Sequence, residues 1–276
     1  MTPTVLLTIA GSDSGGGAGL QADLATFAAH GVHGACALTA VTAQNTTGVY
    51  GVVRLDPTFV VQQVTTVCED LDVRAVKTGM LASSDTVAAV AALAARGMLP
   101  HLVVDPVLVS STGHLLMDEG GVGAYRDQLL AHADVATPNL REAAVLTGRA
   151  PDALRSLEDM VAAAHEIRSL GAATVVVKGG HLGTAVSPDV VDGPGGLTVL
   201  EGTRIATSND HGTGCSLSAA IAVGLAGGLD ALGAIRAAKA YVALGLAGAA
   251  GWEMGSGHGP IDHFGWQPAG PGAPAR

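Results

Sequence analysis

Basic residues are scarce. The 276 residues carry 14 Lys and Arg against 24 Asp and Glu, a formal charge of -10. Nucleic acid and anionic membrane surfaces need a basic face to meet their phosphates, so neither is expected as the main partner. A small anionic ligand stays open, because a few local donors can serve it. Cysteine is also sparse: Cys36, Cys68 and Cys215 are odd in number and scattered, with neither a metal spacing nor a disulfide framework. A reducing, cytoplasmic setting is expected, and no basic region precedes the first short apolar run. No segment approaches the roughly 20 uninterrupted apolar residues of a membrane helix. No repeat or composition shift divides the chain, so residues 1–264 are read as one domain and the Gly-, Pro- and Ala-rich tail, 265–276, is expected to be disordered.

What is plentiful is glycine. The 39 glycines are about twice the usual share of ~7%, and hydrophobic residues make up 48% of the chain. Such a composition favours a globular protein with many tight turns. Short apolar runs at 5–10, 35–42, 75–77, 102–104, 134–136 and 174–177 read as buried strands. Alanine-rich or amphipathic stretches at 20–30, 57–71, 85–96, 122–132, 157–170 and 229–247 read as helices between and after them. The alternation predicts a three-layer α/β/α fold with a mostly parallel sheet. Residues 186–203, rich in Gly, Pro and Asp, read as an irregular hairpin bordering the site.

Polar clusters follow the strands. A glycine loop, GSDSGGGAG at 11–19, follows the first strand; it lacks the lysine of a Walker loop and a convincing G-x-G-x-x-G spacing. Asp23 lies in the next helix, as either a dipole-stabilising group or a ligand contact. Gln44 ends the second strand with an amide that offers both donor and acceptor. Met80 reads as core filler or as a shelf for a planar ring. Asn139 and Glu142 stand at the N-cap and N3 positions of a helix, where they complete a cap or supply oxygen to Mg²⁺. Lys178 ends the TVVV strand before two glycines, either as a surface group or as a charge reaching phosphate, and the 110–113 loop and His181 lie near these ends. Finally HGTGC at 211–215 runs into a long run of small apolar residues. Amides that open a helix have no intrahelical partner and sit at its positive end, so this turn is a ready anion site. If the sheet is parallel, all these clusters meet at one edge.

Taken in order, AGSDSGGGAGLQADL (10–24), TAVTAQNT (39–46), KTGML (77–81), TPNL (137–140), KGGH (178–181) and HGTGC (211–215) resemble the hydroxymethylpyrimidine/phosphomethylpyrimidine kinases of thiamine biosynthesis, from about residue 5 to 263. The resemblance implies a ribokinase-like fold, a homodimer and MgATP as phosphoryl donor. It implies phosphorylation of 4-amino-5-hydroxymethyl-2-methylpyrimidine to its monophosphate and then to the diphosphate. By motif position Gly11, Asp23, Gln44, Met80 and Val107 would hold the pyrimidine. Lys178 and Thr213 would meet the ATP phosphates, and Asn139 and Glu142 would sit near the metal. Gly212, Thr213 and Gly214 would form an anion hole. Cys215 would take the place where most ribokinase-like enzymes carry an aspartate base.

A thiol at a helix N-terminus has a lowered pKa, which nearby triphosphate charge would push back up. Cys215 is therefore expected to be a base of modest strength, needed in the first transfer only. Three rivals remain. A pyridoxal-type kinase shares the scaffold, although Gln44 and Met80 favour the pyrimidine. A non-catalytic pyrimidine sensor would have no use for Lys178, Glu142 and the 211–215 turn. A cysteine hydrolase has Cys215 but no assignable base beside it.

Overall fold

The apolar runs become the central strands of one nine-stranded sheet, ordered β3-β2-β1-β4-β5-β6-β7-β8-β9. The computed structural model describes residues 2–109, 116–180, 182 and 186–266. The 110–113 loop, His181 and residues 267–276 of the expected tail lie outside the described residues. Six neighbouring strands are parallel: β1 (Val5–Ser12), β2 (His33–Asn45), β4 (Val73–Thr78), β5 (Leu102–Val104), β6 (Val135–Ala136) and β7 (Thr174–Lys178). β3 (Gly48–Arg54) at one end, and β8 (Asp189–Gly193) with β9 (Gly196–Leu200) at the other, are antiparallel.

Alternation along each strand divides the core in two. Leu7, Ile9, Val76, Val104 and Val175 pack under α2 (Pro57–Asp70), α3 (Ser84–Ala95), α5 (Leu140–Leu146) and α6 (Leu157–Ser169). Leu6, Ala75, Val103, Val135 and Val176 meet α1 (Gly19–Ala29), α7 (Thr213–Ala226) and α8 (Ala231–Ala249) on the other face. This is the expected three-layer α/β/α architecture. The chain leaves β1 toward β2 and returns past it to β4, so the sheet reverses its winding between the C-terminal ends of β1 and β4. Open α/β sheets bind ligands at such a point.

Three expectations change. Residues 186–203 form the regular hairpin β8–β9 and extend the sheet. Its aspartates hid the strands, but Asp189 accepts from the Gly179 amide and from Lys239, while Asp192 accepts from Arg168, so both charges are buried with partners. The helix expected over 122–132 is broken into α4 (Gly121–Ala124), a π turn (Tyr125–Leu129) and a 3₁₀ turn (Leu130–His132), which together bury Tyr125, Leu129 and Leu130. And α8, with 19 residues, is long and apolar enough by composition to cross a membrane. Here it packs against α7, and its Lys239 donates to Asp189 and to the Ser187 carbonyl.

Candidate active site

The C-terminal ends of the parallel strands and the turn before α7 open on one cleft of about 1680 Å³. Gly11, Gln44, Met80, Val107, Asn139, Glu142, Lys178, Gly212, Thr213, Gly214 and Cys215 all line it. The strand-end clusters therefore do converge.

One end of the cleft is an apolar shelf. Met80 packs with Ala40, Ala82, Leu116, Val52 and Val107. Its methyl group occupies the space a side chain at Gly11 would need. Its carbonyl is held by Thr39 Oγ1 at 2.5 Å and the Gly11 amide at 3.1 Å. Gln44 borders this shelf, with one end of its side-chain amide 3.1 Å from His211 Nε2.

The other end is the start of α7. Helices α2, α3, α5, α6 and α8 each have a side-chain cap at the N-terminus. The N-termini of α1, α4 and α7 have none, and those of α1 and α7 border the cleft. At α1 the Gly19 amide is turned to Cys215, whereas at α7 the Thr213 amide meets the Asp210 carbonyl at 3.3 Å. The Gly214 and Cys215 amides behind it stand at the positive end of the dipole, where a ligand can meet them. Gly212, at the N-cap of α7, has φ +82°, a left-handed backbone that glycine alone adopts freely, and a side chain there would collide with the Gly17 carbonyl. A Cβ at Gly214 would lie 3.2 Å from Lys178 Nζ, so the lysine reaches directly over the turn.

Beneath the turn lies a charged cluster that sequence reasoning only partly found. Asp105, at the end of β5, is buried; its Oδ1 accepts from Lys178 Nζ at 2.9 Å and Thr137 Oγ1 at 3.1 Å. Burial opposes its charge, yet Lys178 and then Lys77 outweigh that and hold its carboxyl below the usual range. Lys178 stays cationic against burial because Asp105 and Glu142 face it. The missed signal was position: Asp105 stands at the C-terminal end of a strand, as Gln44 and Lys178 do.

Asp23, expected against the pyrimidine, is corrected. It is fully buried, and Lys77 Nζ donates to both its oxygens at 2.9 and 2.8 Å while Thr8 Oγ1 donates at 2.6 Å. It does not border the cleft. α1 carries it onto the same sheet face as Thr8 and Lys77, where a carboxylate is stable only with such partners.

Asn139 and Glu142 form the reciprocal cap of α5: Asn139 Oδ1 accepts from the Glu142 amide at 2.9 Å, and Glu142 Oε2 accepts from the Asn139 amide at 2.8 Å. Burial pushes the Glu142 carboxyl up to about 7, with Asp105 adding to the rise and Lys178 opposing it. Three buried carboxyls, Asp23, Asp105 and Glu142, thus share two ammonium groups; burial raises Asp23 and Glu142, while the two lysines hold Asp105 low.

The lowered thiol pKa expected for Cys215 is also corrected. Burial pushes it up to about 11, against the pull of Lys77 and the Gly19 amide and with a further push from Asp23 and Asp105. Desolvation exceeds the dipole of α7 here.

Two further residues join the cleft's walls. Asp13 accepts from the amides of Gly15, Gly17 and Ala18 and lies 2.9 Å from His211 Nε2, so the glycine loop after β1 is clasped to the turn before α7.

Comparisons with known proteins agree with this geometry. A hydroxymethylpyrimidine/phosphomethylpyrimidine kinase of Rhizobium meliloti (strain 1021) is 48% identical over 260 residues, 94% of this chain and 97% of that protein. A solved phosphomethylpyrimidine kinase from Clostridium difficile 630 superposes with a TM-score of 0.76 at 37% identity, covering 87% of this chain and 98% of its own. Pyridoxal kinase from Staphylococcus aureus, solved with pyridoxal, gives 0.87 at 34% identity over 96% of this chain and 95% of that one. These neighbours share the ribokinase-like α/β fold. The profile of the phosphomethylpyrimidine kinase family matches residues 13–262, nearly the whole of the structure that builds the cleft, and the chain belongs to that family.

Proposed function

We propose that the chain transfers a phosphoryl group from ATP to 4-amino-5-hydroxymethyl-2-methylpyrimidine and then to the monophosphate, the two kinase steps of thiamine diphosphate biosynthesis. The observation that carries this reading is one cleft with an uncapped helix N-terminus and Lys178 at one end and the Met80 shelf with Gln44 at the other. Phosphoryl transfer passes through a loose transition state, so position and positive charge count for more than covalent help.

The flat ring would rest on Met80 and Val107, with Gln44 reading its edge. That pose would aim the hydroxymethyl group at the 212–215 amides. Lys178, now paired with Asp105, would turn part of its charge to the incoming phosphates, and Thr213 would add a hydroxyl. Asn139 and Glu142 would be the nearest oxygen donors to Mg²⁺. The described residues contain no group of three or more His, Cys, Asp or Glu able to hold a metal. The donor set therefore suits Mg²⁺ that arrives on a nucleotide, keeps several waters and uses one or two carboxylates. Bound there, the ion would neutralise charge developing on the phosphate oxygens.

A cytoplasmic homodimer, with residues 1–264 as one domain, completes the reading. Outer strand β3 leaves Tyr50 and Val53 strongly exposed, a surface that a second copy would cover. Light scattering reads the mass, and a particle of 27.2 kDa would overturn the dimer.

The alternative acceptor is pyridoxal, favoured by the close superposition on a pyridoxal kinase. Incubation with MgATP and each alcohol, followed by mass analysis, separates the two. Diphosphate from the hydroxymethylpyrimidine is expected. Pyridoxal phosphate as the sole product would replace this reading, and no product from either would support a sensor.

A further inference from the structure

We infer that His211 fixes the hydrogen-bonding polarity of Gln44, so that the pocket presents an N–H donor and selects a ring with an unprotonated nitrogen. This deepens the kinase reading above and rests on its use of Gln44 as the ligand contact.

Asp13 anchors this set of contacts. Its Oδ1 accepts from the Gly15 amide at 2.8 Å, and its Oδ2 accepts from Gly17 at 3.1 Å and Ala18 at 2.8 Å. Three amides can only donate, so this carboxyl serves throughout as an acceptor. Burial works against its charge, but the His211 hydrogen bond and the amides hold its pKa below the ordinary value. His211 Nε2 lies 2.9 Å from the same Oδ2. An ionised carboxylate accepts and cannot donate, so Nε2 carries a proton whether the ring is neutral or cationic.

Gln44 must answer to that proton. One end of its amide lies 3.1 Å from His211 Nε2. A nitrogen at that end would set N–H against N–H, whereas the carbonyl oxygen shares the proton. The other end lies 3.4 Å from Thr42 Oγ1. Thr42 has one hydroxyl proton and gives it to the Ser12 carbonyl at 2.8 Å, which leaves a lone pair toward Gln44. Only an N–H satisfies a lone pair. Both neighbours therefore select one orientation, with Oε1 on His211 and Nε2 on Thr42; the two ends of an amide are assigned by such partners. The backbone cannot drift to evade this, because Ser14 Oγ receives the Gln44 amide at 2.8 Å and donates to its carbonyl at 2.7 Å.

Nε2 carries two protons, and Thr42 takes one. The second is left for a ligand in the cleft that Gln44 lines. A neutral aminopyrimidine nitrogen accepts it. A pyridinium nitrogen, as in the zwitterion of a 3-hydroxypyridine, carries its own proton and is repelled. His211 and Asp13 are thus positioning residues for specificity, acting through Gln44 without touching the ring.

The test uses the full chain labelled with ¹⁵N-histidine. Long-range ¹H–¹⁵N spectra report which ring nitrogen is protonated, and the His211 signals are those missing from His211→Gln or, should that variant not fold, those that move in Gln44→Glu. Protonation at Nε2 is expected. A neutral ring protonated at Nδ1 alone would overturn the inference. The Gln44→Glu enzyme supplies the second arm, since its carboxylate offers only acceptors. Its preference for the hydroxymethylpyrimidine over pyridoxal, as a ratio of kcat/KM, should fall by about tenfold or more, the usual weight of one well-placed hydrogen bond. An unchanged ratio would overturn the donor reading. If wild-type enzyme phosphorylates neither alcohol, the kinase reading fails by itself, and the protonation state of His211 still decides the inference.

Discussion

Cys215 lies in the first turn of α7, and burial, with the charges of Asp23 and Asp105 added against Lys77, pushes its thiol up to about 11, which keeps it protonated near neutrality. Accepting the proton of a hydroxymethyl group requires the thiolate. Below pH 11 the thiolate fraction falls tenfold for each unit of acidity, so a base role makes the first transfer climb with pH. The second acceptor is a phosphate monoester whose own second pKa lies near ~6. It is ionised already and needs no base. The expected outcome is that the ratio of first to second single-turnover rates rises several-fold per pH unit between about pH 7 and 9. Cys215→Ala should flatten that rise and slow the first transfer by about 10²-fold, the lower range for a lost general base. Taking the ratio cancels any step that Glu142 contributes to both reactions. Parallel profiles for the two transfers would leave Cys215 as a positioning residue.

At the scale of elements, the cleft depends on how strands hand residues to the helices above them. The Lys77–Asp23 pair ties β4 to α1 under the uncapped start of α7. Removing one partner of a buried pair strands the other charge and costs about 3–5 kcal/mol. Lys77→Met should therefore lower the unfolding free energy by about that amount, and adding Asp23→Leu should restore most of it. Denaturant titration of the single and double variants checks this. If Asp23→Asn instead raised KM for the pyrimidine with no loss of stability, a direct ligand contact would be reinstated.

The same pair shows where sequence reasoning stops. Strand ends, the α7 turn and the Asn139–Glu142 cap were legible because each is a local pattern of glycine, cap residue or apolar run. The partner of Asp23 was not, because it lies 54 positions away, and only the parallel register of β1 and β4, Thr8 beside Lys77, puts the two together. Strand β8 was hidden for the same reason: its aspartates look like loop residues until Arg168 and Lys239 are seen to answer them. β3 went unnoticed because it is an exposed edge, without the apolar run of a buried strand.

For the molecule as a whole, charge is unevenly spent. Of its 14 basic residues, six border the cleft: Arg141, Arg155, Lys178, Arg204, Arg236 and Lys239. Seven of its 24 acidic residues border it too, which leaves a formal charge of -1 at the cleft and -9 over the rest of the molecule, so a polyanion meets the least repulsion there. The imbalance of three buried carboxyls over two ammonium groups then has a thermodynamic consequence. With Glu142 near 7, ligand binding must exchange protons with the buffer. Metal-free ATP brings negative charge, raises that pKa and draws a fraction of a proton in. MgATP with its ion beside Glu142 lowers it and expels a fraction instead. Calorimetric titrations in two buffers of different ionisation enthalpy, near pH 7, should show proton uptake for the free nucleotide and release for the magnesium complex. Equal uptake for both would place the metal away from Glu142, and Glu142→Gln should abolish the difference. The cap of α5 is in this sense a proton reservoir that registers the cation accompanying the phosphates.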